Sequence, residues 1–323
     1  MADYLLIIAG FALLLFGGEA VVRGSVALAQ RLGLSPMIVG LTIVGLGTSL
    51  PELVVSLKAA LAGSPGLAVG NVIGSNITNI LLIFGVAALI APFSVQPKAV
   101  KRDALVMSAV TLIFVGLGVS GQISLWHGIA MLVMLLGYIG LTLWHDNKTD
   151  ASATNIDLEK AKQTEFVRLH TFSISGIILT GLVVLVVGAD ILVTGATRIA
   201  VAAGVPDEVI GLTVFAFGTS LPELAASIVA AYRGHSDVCV GNILGSNAFN
   251  LLGIAGITAL FVPLPFSEKI ISFDLWVLLG STAILLPFLL SGQKVYRLIG
   301  LLFFSGYICF VGAQFTGIGG AVL

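Results

Sequence analysis

Gly47-Thr48-Ser49-Leu50-Pro51-Glu52 lies inside a long apolar segment, and the same six residues recur as Gly218-Thr219-Ser220-Leu221-Pro222-Glu223. Proline removes a backbone donor and clashes with the carbonyl four residues earlier, so each copy predicts a helix break around its Thr-Ser-Leu step. A carboxylate in hydrocarbon is costly and marks a functional site where it occurs. Irregular backbone at membrane depth is tolerated only against protein or a watery cavity.

The surrounding chain reads as membrane protein. Its 323 residues are 58% hydrophobic and 10% charged, with a mean hydropathy of +1.11, against about a quarter charged in a soluble domain. Ten spans are predicted, near 4–29, 35–62, 67–91, 102–119, 124–144, 172–200, 207–232, 238–262, 270–290 and 296–318, each long enough for the ~30 Å hydrocarbon core. The apolar start lacks a positive n-region and is read as a first span, not a cleaved signal. Connections are short and rich in glycine and proline, except for residues 145–170, read as a charged, solvated linker. The net charge of −1 says nothing about partners, because the charges are few and confined to loops, and no basic patch suggests nucleic acid. Cys239 and Cys309 lack metal-like spacing and are read as packing residues.

Lysine and arginine counts set the expected orientation. Connections 1–2, 3–4, 5–6, 7–8 and 9–10 carry 11, from Arg31 through Lys98, Lys101, Arg102 and the central loop to Arg233, Lys294 and Arg297, whereas the opposite side has three: Lys58, Arg198 and Lys269. The first set is assigned to the cytoplasm. Both termini then face outward and the compact chain is placed in a prokaryotic cell (inner) membrane, multi-pass.

The halves repeat. Adding 171 maps Gly47 to Leu53 onto Gly218 to Leu224 without a mismatch, Gly70-Asn71 onto Gly241-Asn242, Gly74-Ser75-Asn76 onto Gly245-Ser246-Asn247, and Asn79 onto Asn250. Between Gly40 and Leu81, 22 of 42 positions are identical to their counterparts. Chance hydrophobic similarity matches leucines and valines, not threonine, proline, glutamate and asparagine in register. Five spans per half is an odd number, so the second half enters the membrane from the opposite side. The expected fold class is therefore an all-α polytopic membrane protein of ten transmembrane helices. It forms two inverted five-helix repeats, with helices 2, 3, 7 and 8 broken. The domains are 1–145, a cytoplasmic connection 146–170, and 171–323. Inversion is expected to bring Glu52 and Glu223 together near mid-membrane.

Thr48, Glu52 and Ser56 are spaced four apart, with Ser49 alongside, and are expected to form one polar stripe. Ser75 and Asn79 are also four apart, as are Ser246 and Asn250, and Gly70 and Gly74 suggest a second weak point. All these groups donate oxygen, and no histidine or cysteine is near. Such a set selects calcium, sodium or magnesium over zinc or copper, and two carboxylates suit a dehydrated calcium ion. When that ion leaves, sodium ions or protons must neutralise the glutamates. Ser56, Ser227, Asn71, Asn242, Asn76 and Asn247 read instead as interhelical hydrogen-bonding groups. Glu19 and Asp190 either attract ions or, for Glu19, pair with Arg23.

The paired GTSLPE segments, each followed by GN-x-x-GSN-x-x-N, resemble the alpha repeats of the calcium/cation antiporter superfamily, in particular its sodium/calcium exchanger branch. The resemblance implies that Glu52 and Glu223 bind calcium and that Thr48 and Thr219 add backbone oxygens. It implies that Ser49, Ser220, Ser75, Ser246, Gly45 and Ala216 help to form sodium sites, and that Asn79 and Asn250 line the centre. Some prokaryotic relatives have aspartate where this chain has Asn250. The proton-coupled branch has histidine beside its repeat glutamate, where this chain has Leu53 and Leu224. The expected function is a secondary antiporter exchanging calcium for sodium by alternating access, with a proton-coupled calcium (or other cation) antiporter as the alternative. Calcium, sodium (or protons) and the lipid bilayer are the expected partners, with no cofactor and no obligatory protein partner. No nucleotide-binding glycine motif supports a pump and no nucleophile–base constellation supports an enzyme. The orientation predicts that a reporter inserted between residues 150 and 160 is shielded from external protease in intact cells and cleaved in everted vesicles.

Overall fold

A chain without water to satisfy its backbone closes its hydrogen bonds within helices, and the computed structural model, which describes residues 2–94, 97–146, 170–203 and 216–315, is almost wholly helical. The first half contains α1 (Ala2–Leu32), α2 (Pro36–Val39), a π-helical segment (Gly40–Val44), α3 (Gly45–Thr48) and α4 (Leu50–Leu61). Then come α5 (Pro65–Ile77), a second π-segment (Thr78–Ile83), α6 (Phe84–Ile90), α7 (Pro97–Val119) and α8 (Leu125–Asp146). The second half contains α9 (Thr171–Ala202), α10 (Ala216–Thr219), α11 (Leu221–Tyr232), α12 (Ser236–Ala248), a π-segment (Phe249–Ile254) and α13 (Ala255–Phe261). A fourth π-segment (Ile270–Asp274), α14 (Leu275–Ser291) and α15 (Arg297–Phe315) complete it.

The 171-residue register extends from letters to elements. Helices α3, α4, α5 and α6 reappear, residue for residue, as α10, α11, α12 and α13, and the π-segment Thr78–Ile83 reappears as Phe249–Ile254. The tight turns after α4 and α11 also coincide. Gly63 and Gly234 both have left-handed backbone, φ 84° and 77°, which glycine adopts without a Cβ penalty.

Eight described helices are long and apolar enough to cross a membrane; counting the bent pair Pro36–Thr48 and Leu50–Leu61 as one span makes nine. The expected span 207–232 begins outside the described residues, and α10 with α11, a shorter apolar helix, is its described remainder. The linker residues 147–169 also lie outside them. The weak point expected at Gly70 and Gly74 falls instead at Thr78–Ile83, where the helix widens to a π-turn and does not stop.

The chain packs as two compact units, each drawing on both halves: residues 1–48 with 139–242, and residues 49–138 with 243–323. In the first unit, α1 and α9 lie against each other over much of their length. Glycines permit the approach. A Cβ on Gly10 would stand 2.7 Å from Gly188 O, and one on Gly188 would stand 3.0 Å from Leu14 N. In the second unit, α7 packs on α14 and α6 on α15. Two short antiparallel pairs tie the helix ends of this unit: β1 (Phe93–Ser94) with β4 (Lys294–Val295), and β2 (Gln122–Ile123) with β3 (Leu264–Pro265). Helix α7 thus runs from the β1/β4 end to the β2/β3 end, and its counterpart α14 runs back the other way.

Gly10→Ala is expected to lower stability by about 1–3 kcal/mol through overpacking. Gly176→Ala meets nothing within 4 Å among the described residues and is expected to be neutral or to gain up to about 1 kcal/mol. Thermal unfolding of detergent-purified protein distinguishes the two.

Candidate functional site

Each copy of the repeated hexapeptide breaks its helix in the same way. Ser49 (φ −84°, ψ 6°) and Ser220 (φ −90°, ψ 5°) leave helical geometry, and a new helix starts at the next residue. The first turn of each new helix is closed by a bond from Leu53 N–H to Ser49 O at 3.2 Å and from Leu224 N–H to Ser220 O at 3.0 Å. Pro51 and Pro222 occupy the second helical position, where a missing N–H is harmless to the new helix but leaves the carbonyls of Gly47 and Gly218 without that donor. Glu52 and Glu223 follow in the first turn. The positive end of the helix dipole lies there and favours a carboxylate by about 0.3–2 kcal/mol. Both glutamates are only 1% exposed. The motif glycines admit close packing against α9: a Cβ on Gly47 would strike Leu182, and one on Gly218 would strike Val193.

The expected site residues divide between the two units. Gly45, Thr48, Ala216, Thr219, Ser220 and Glu223 belong to the first. There α3 packs on α11. Gly45, Thr48, Ser220 and Glu223 are buried, Thr219 is half-buried, and Ala216 opens α10, its side chain lying outside what is described. Thr48 Oγ1 donates within reach of Val44 O at 3.0 Å and Asn242 Oδ1 at 3.3 Å. Asn242 Nδ2 donates to Glu223 O at 3.3 Å and Ser227 Oγ at 2.9 Å.

Ser49, Glu52, Ser75, Asn79, Ser246 and Asn250 belong to the second unit and are all buried. Helix α4, carrying Glu52, packs on α5 and on the π-segment that holds Asn250. Asn71 Nδ2 donates to Glu52 O at 3.2 Å and Ser56 Oγ at 2.8 Å. Asn79 Nδ2 donates to Asn247 Oδ1 at 3.3 Å, joining the π-segment of the first half to α12 of the second. The stripe expected through Thr48, Glu52 and Ser56 is therefore interrupted: Thr48 ends α3 and the other two lie on α4. The asparagines and serines read as interhelical bonding groups at 71, 242, 56 and 227 do bond in that manner.

Asn79 and Asn250 occupy equivalent places in the two π-segments, their carbonyls accepting from Phe84 N–H and Ala255 N–H five residues on. Such π-turns are frequent at functional sites. Asn79 Oδ1 and both polar atoms of Asn250 are buried with no hydrogen-bond partner among the described residues. A buried amide left so costs about 1–3 kcal/mol unless a ligand engages it. Among the described residues, no three His, Cys, Asp or Glu side chains gather. The donors near the glutamates are thus amide, hydroxyl and main-chain oxygens, suited to hard cations.

Two features lay outside the expected site. Glu19 is held by Arg23 and, through Oε1 at 2.6 Å and Oε2 at 3.0 Å, by Arg233 at the end of α11. It is an ion-paired residue that pins α1 to α11. Asp103 and Asp274 form a second duplicated acid pair in the 171-residue register, a signal present in the sequence but not used. Asp103 is 1% exposed and accepts from Arg102 and from Tyr138 Oη at 3.1 Å. Asp274 accepts from Gln314 Nε2 at 2.7 Å.

The match to known proteins agrees with this geometry. Residues 3–144 and 173–316 fit the model of the sodium/calcium exchanger protein family. Inner membrane protein YrbG of Escherichia coli (strain K12) is 35% identical over 80% of this chain and 79% of its own. Sodium/calcium exchanger MaX1 of Methanosarcina acetivorans is 29% identical over 96% of this chain and 97% of its own. A solved structure of the sodium-calcium exchanger NCX_Mj, soaked with zero sodium and calcium, aligns with TM-score 0.83 at 31% identity, covering 97% of this chain and 98% of its own. The class so defined is a membrane transporter. The chain belongs to the sodium/calcium exchanger protein family, whose members are antiporters.

Tyr138→Phe removes a donor from a buried carboxylate and is expected to cost about 1–3 kcal/mol, read as a lower unfolding temperature.

Proposed function

We propose that this chain is a secondary antiporter exchanging calcium for sodium by alternating access at a mid-membrane acidic site. Glu52 and Glu223 bind calcium, and Thr48 and Thr219 contribute main-chain oxygens. Ser49, Ser220, Ser75, Ser246, Gly45 and Ala216 contribute to sodium binding, and Asn79 and Asn250 line the site. The observation that carries the reading is the repeated placement of a glutamate, 1% exposed, in the first turn of a proline-restarted helix. The orphaned amide oxygens of Asn79 and Asn250 in the unit of Glu52 add weight.

The chemistry follows from charge. A buried carboxylate without a counter-charge is penalised by several kcal/mol. Calcium balances two such charges and draws 6–8 hard oxygens around itself. Once it leaves, sodium ions must replace it before the buried charges are tolerable, so the two fluxes are coupled. In the proton-coupled alternative, protonation performs that neutralisation.

The proposed architecture has ten spans in two inverted five-helix repeats, residues 1–145 and 171–323, with 146–170 and the 7–8 connection cytoplasmic. Both termini then lie outside the cell, and the membrane is the cell (inner) membrane. The opposed directions of the equivalent helices α7 and α14, derived from strand pairing, favour inversion.

In proteoliposomes, radioactive calcium uptake is expected to follow an imposed sodium gradient. Uptake that ignores sodium and follows only a pH gradient moves the reading to the proton-coupled form. Glu52→Gln and Glu223→Gln are each expected to reduce uptake at least about a hundredfold, ~2.8 kcal/mol in binding terms, with the protein still folded. Wild-type uptake in either variant removes the site assignment.

A further inference from the structure

Asn71 and Asn242 make the same forked contact in separate packing units. In each, the amide nitrogen meets the main-chain oxygen of the motif glutamate, 19 residues earlier, and a serine hydroxyl, 15 residues earlier. The two acceptors come from residues one helical turn apart, and because a helical carbonyl points along the axis toward the residue four on, both oxygens meet at one spot on the face of α4 and of α11. A fork that grips one defined spot on a helix face fixes which face meets the neighbouring helix, and so resists rotation about the axis. Apolar packing alone fixes the separation of helices but leaves rotation soft. Rotation is the coordinate that aims the glutamate side chain.

The fork has a second consequence in the first unit. Asn242 Oδ1 lies 3.3 Å from Thr48 Oγ1, at the end of α3. One amide thus joins the broken end of the first half's helix to the restarted helix of the second half. Both hydrogens of each amide nitrogen are committed to oxygen acceptors; the atom that a cation would seek is the amide oxygen, and that of Asn242 already accepts from Thr48 Oγ1.

We propose that Asn71 and Asn242 are positioning residues of the ion site. They set the rotation of the helices bearing Glu52 and Glu223 without themselves ligating the ion, and Asn242 also keeps Thr48 in register with the Glu223 helix. The inference rests on the reading that these glutamates bind the transported ion. Sites of this kind need their ligands held within about 0.5 Å and 10–20°, which one lost fork on a twelve-residue helix is sufficient to disturb.

The test is calcium uptake by purified protein in proteoliposomes, with half-saturating calcium, maximal rate and unfolding temperature all measured. Asn71→Ala and Asn242→Ala are expected to raise half-saturating calcium about tenfold, the equivalent of ~1.4 kcal/mol. Ser56→Ala and Ser227→Ala remove one arm of each fork and are expected to raise it several-fold. The double variant Asn242→Ala with Ser227→Ala is expected to be no worse than Asn242→Ala alone, because both act through one contact.

An unchanged half-saturation with a lowered unfolding temperature makes the forks interhelical ties only and overturns the proposal. Should either asparagine variant fail to fold, the serine variants decide: unchanged half-saturation in both overturns it. Glu223→Gln is assayed alongside. If that variant transports with wild-type half-saturation, the underlying site reading has failed. If it is inactive while the asparagine and serine variants behave as wild type, the positioning role has failed and the site reading stands.

Discussion

A carboxylate that is almost fully buried in an apolar chain has to be answered by something. Glu52 and Glu223 are each 1% exposed, and the idealised transfer of such a charge to a low-dielectric interior costs of order 20 kcal/mol, falling to several after relaxation. The protein supplies partial answers. The proline break starts a new helix whose positive end lies under the glutamate. The serines at the break are buried with it, and the asparagine fork grips the backbone of the glutamate itself. None of these delivers a full compensating charge. In the proposed exchange the transported cations supply that charge, and obligatory replacement of one cation by others is then the physical content of the coupling.

The two halves share backbone more closely than they share side chains. The proline breaks, the π-turns Thr78–Ile83 and Phe249–Ile254, the left-handed glycines 63 and 234, and the asparagine forks coincide at a spacing of 171 residues, whereas the π-segment Ile270–Asp274 falls on regular helix in α7. The ion pairs do not. Glu19 is gripped by Arg233, which corresponds to Ala62 in the first half, and Asp103 finds Tyr138 where Asp274 finds Gln314. Motif residues that shape the main chain are under the same constraint in both copies. Residues that tie one helix to another answer to local neighbours, which differ between copies.

Much of this was legible in the sequence. Periodic apolar runs, proline in the midst of one, and in-register identity of polar letters predicted the membrane helices, the breaks and the duplicated acids, because each is a local property of chain chemistry. The polar stripe through Thr48 and Glu52 was misread, since an i, i+4 relation presumes a continuous helix and the break at Ser49 removes it. The weak point assigned to Gly70 and Gly74 was displaced to Thr78–Ile83, since a π-turn requires one extra residue in the helix and has no distinctive letter. Asp103 and Asp274 matched in register but stand in the first turns of the predicted spans 102–119 and 270–290, where an acid reads as a charge at the span end until its burial is known.

The sequence alone determined which segments are long and apolar, where Pro51 and Pro222 break their helices, and which residues are duplicated. These follow from hydropathy, from the proline ring and from counting. Only the tertiary structure decided that Asn71 and Asn242 grip the glutamate backbone, that Asn250 buries its amide without a described partner, and that each packing unit draws on both halves. Those outcomes depend on which faces of distant helices meet, and on where a glycine lets two backbones approach, which no spacing along one chain specifies.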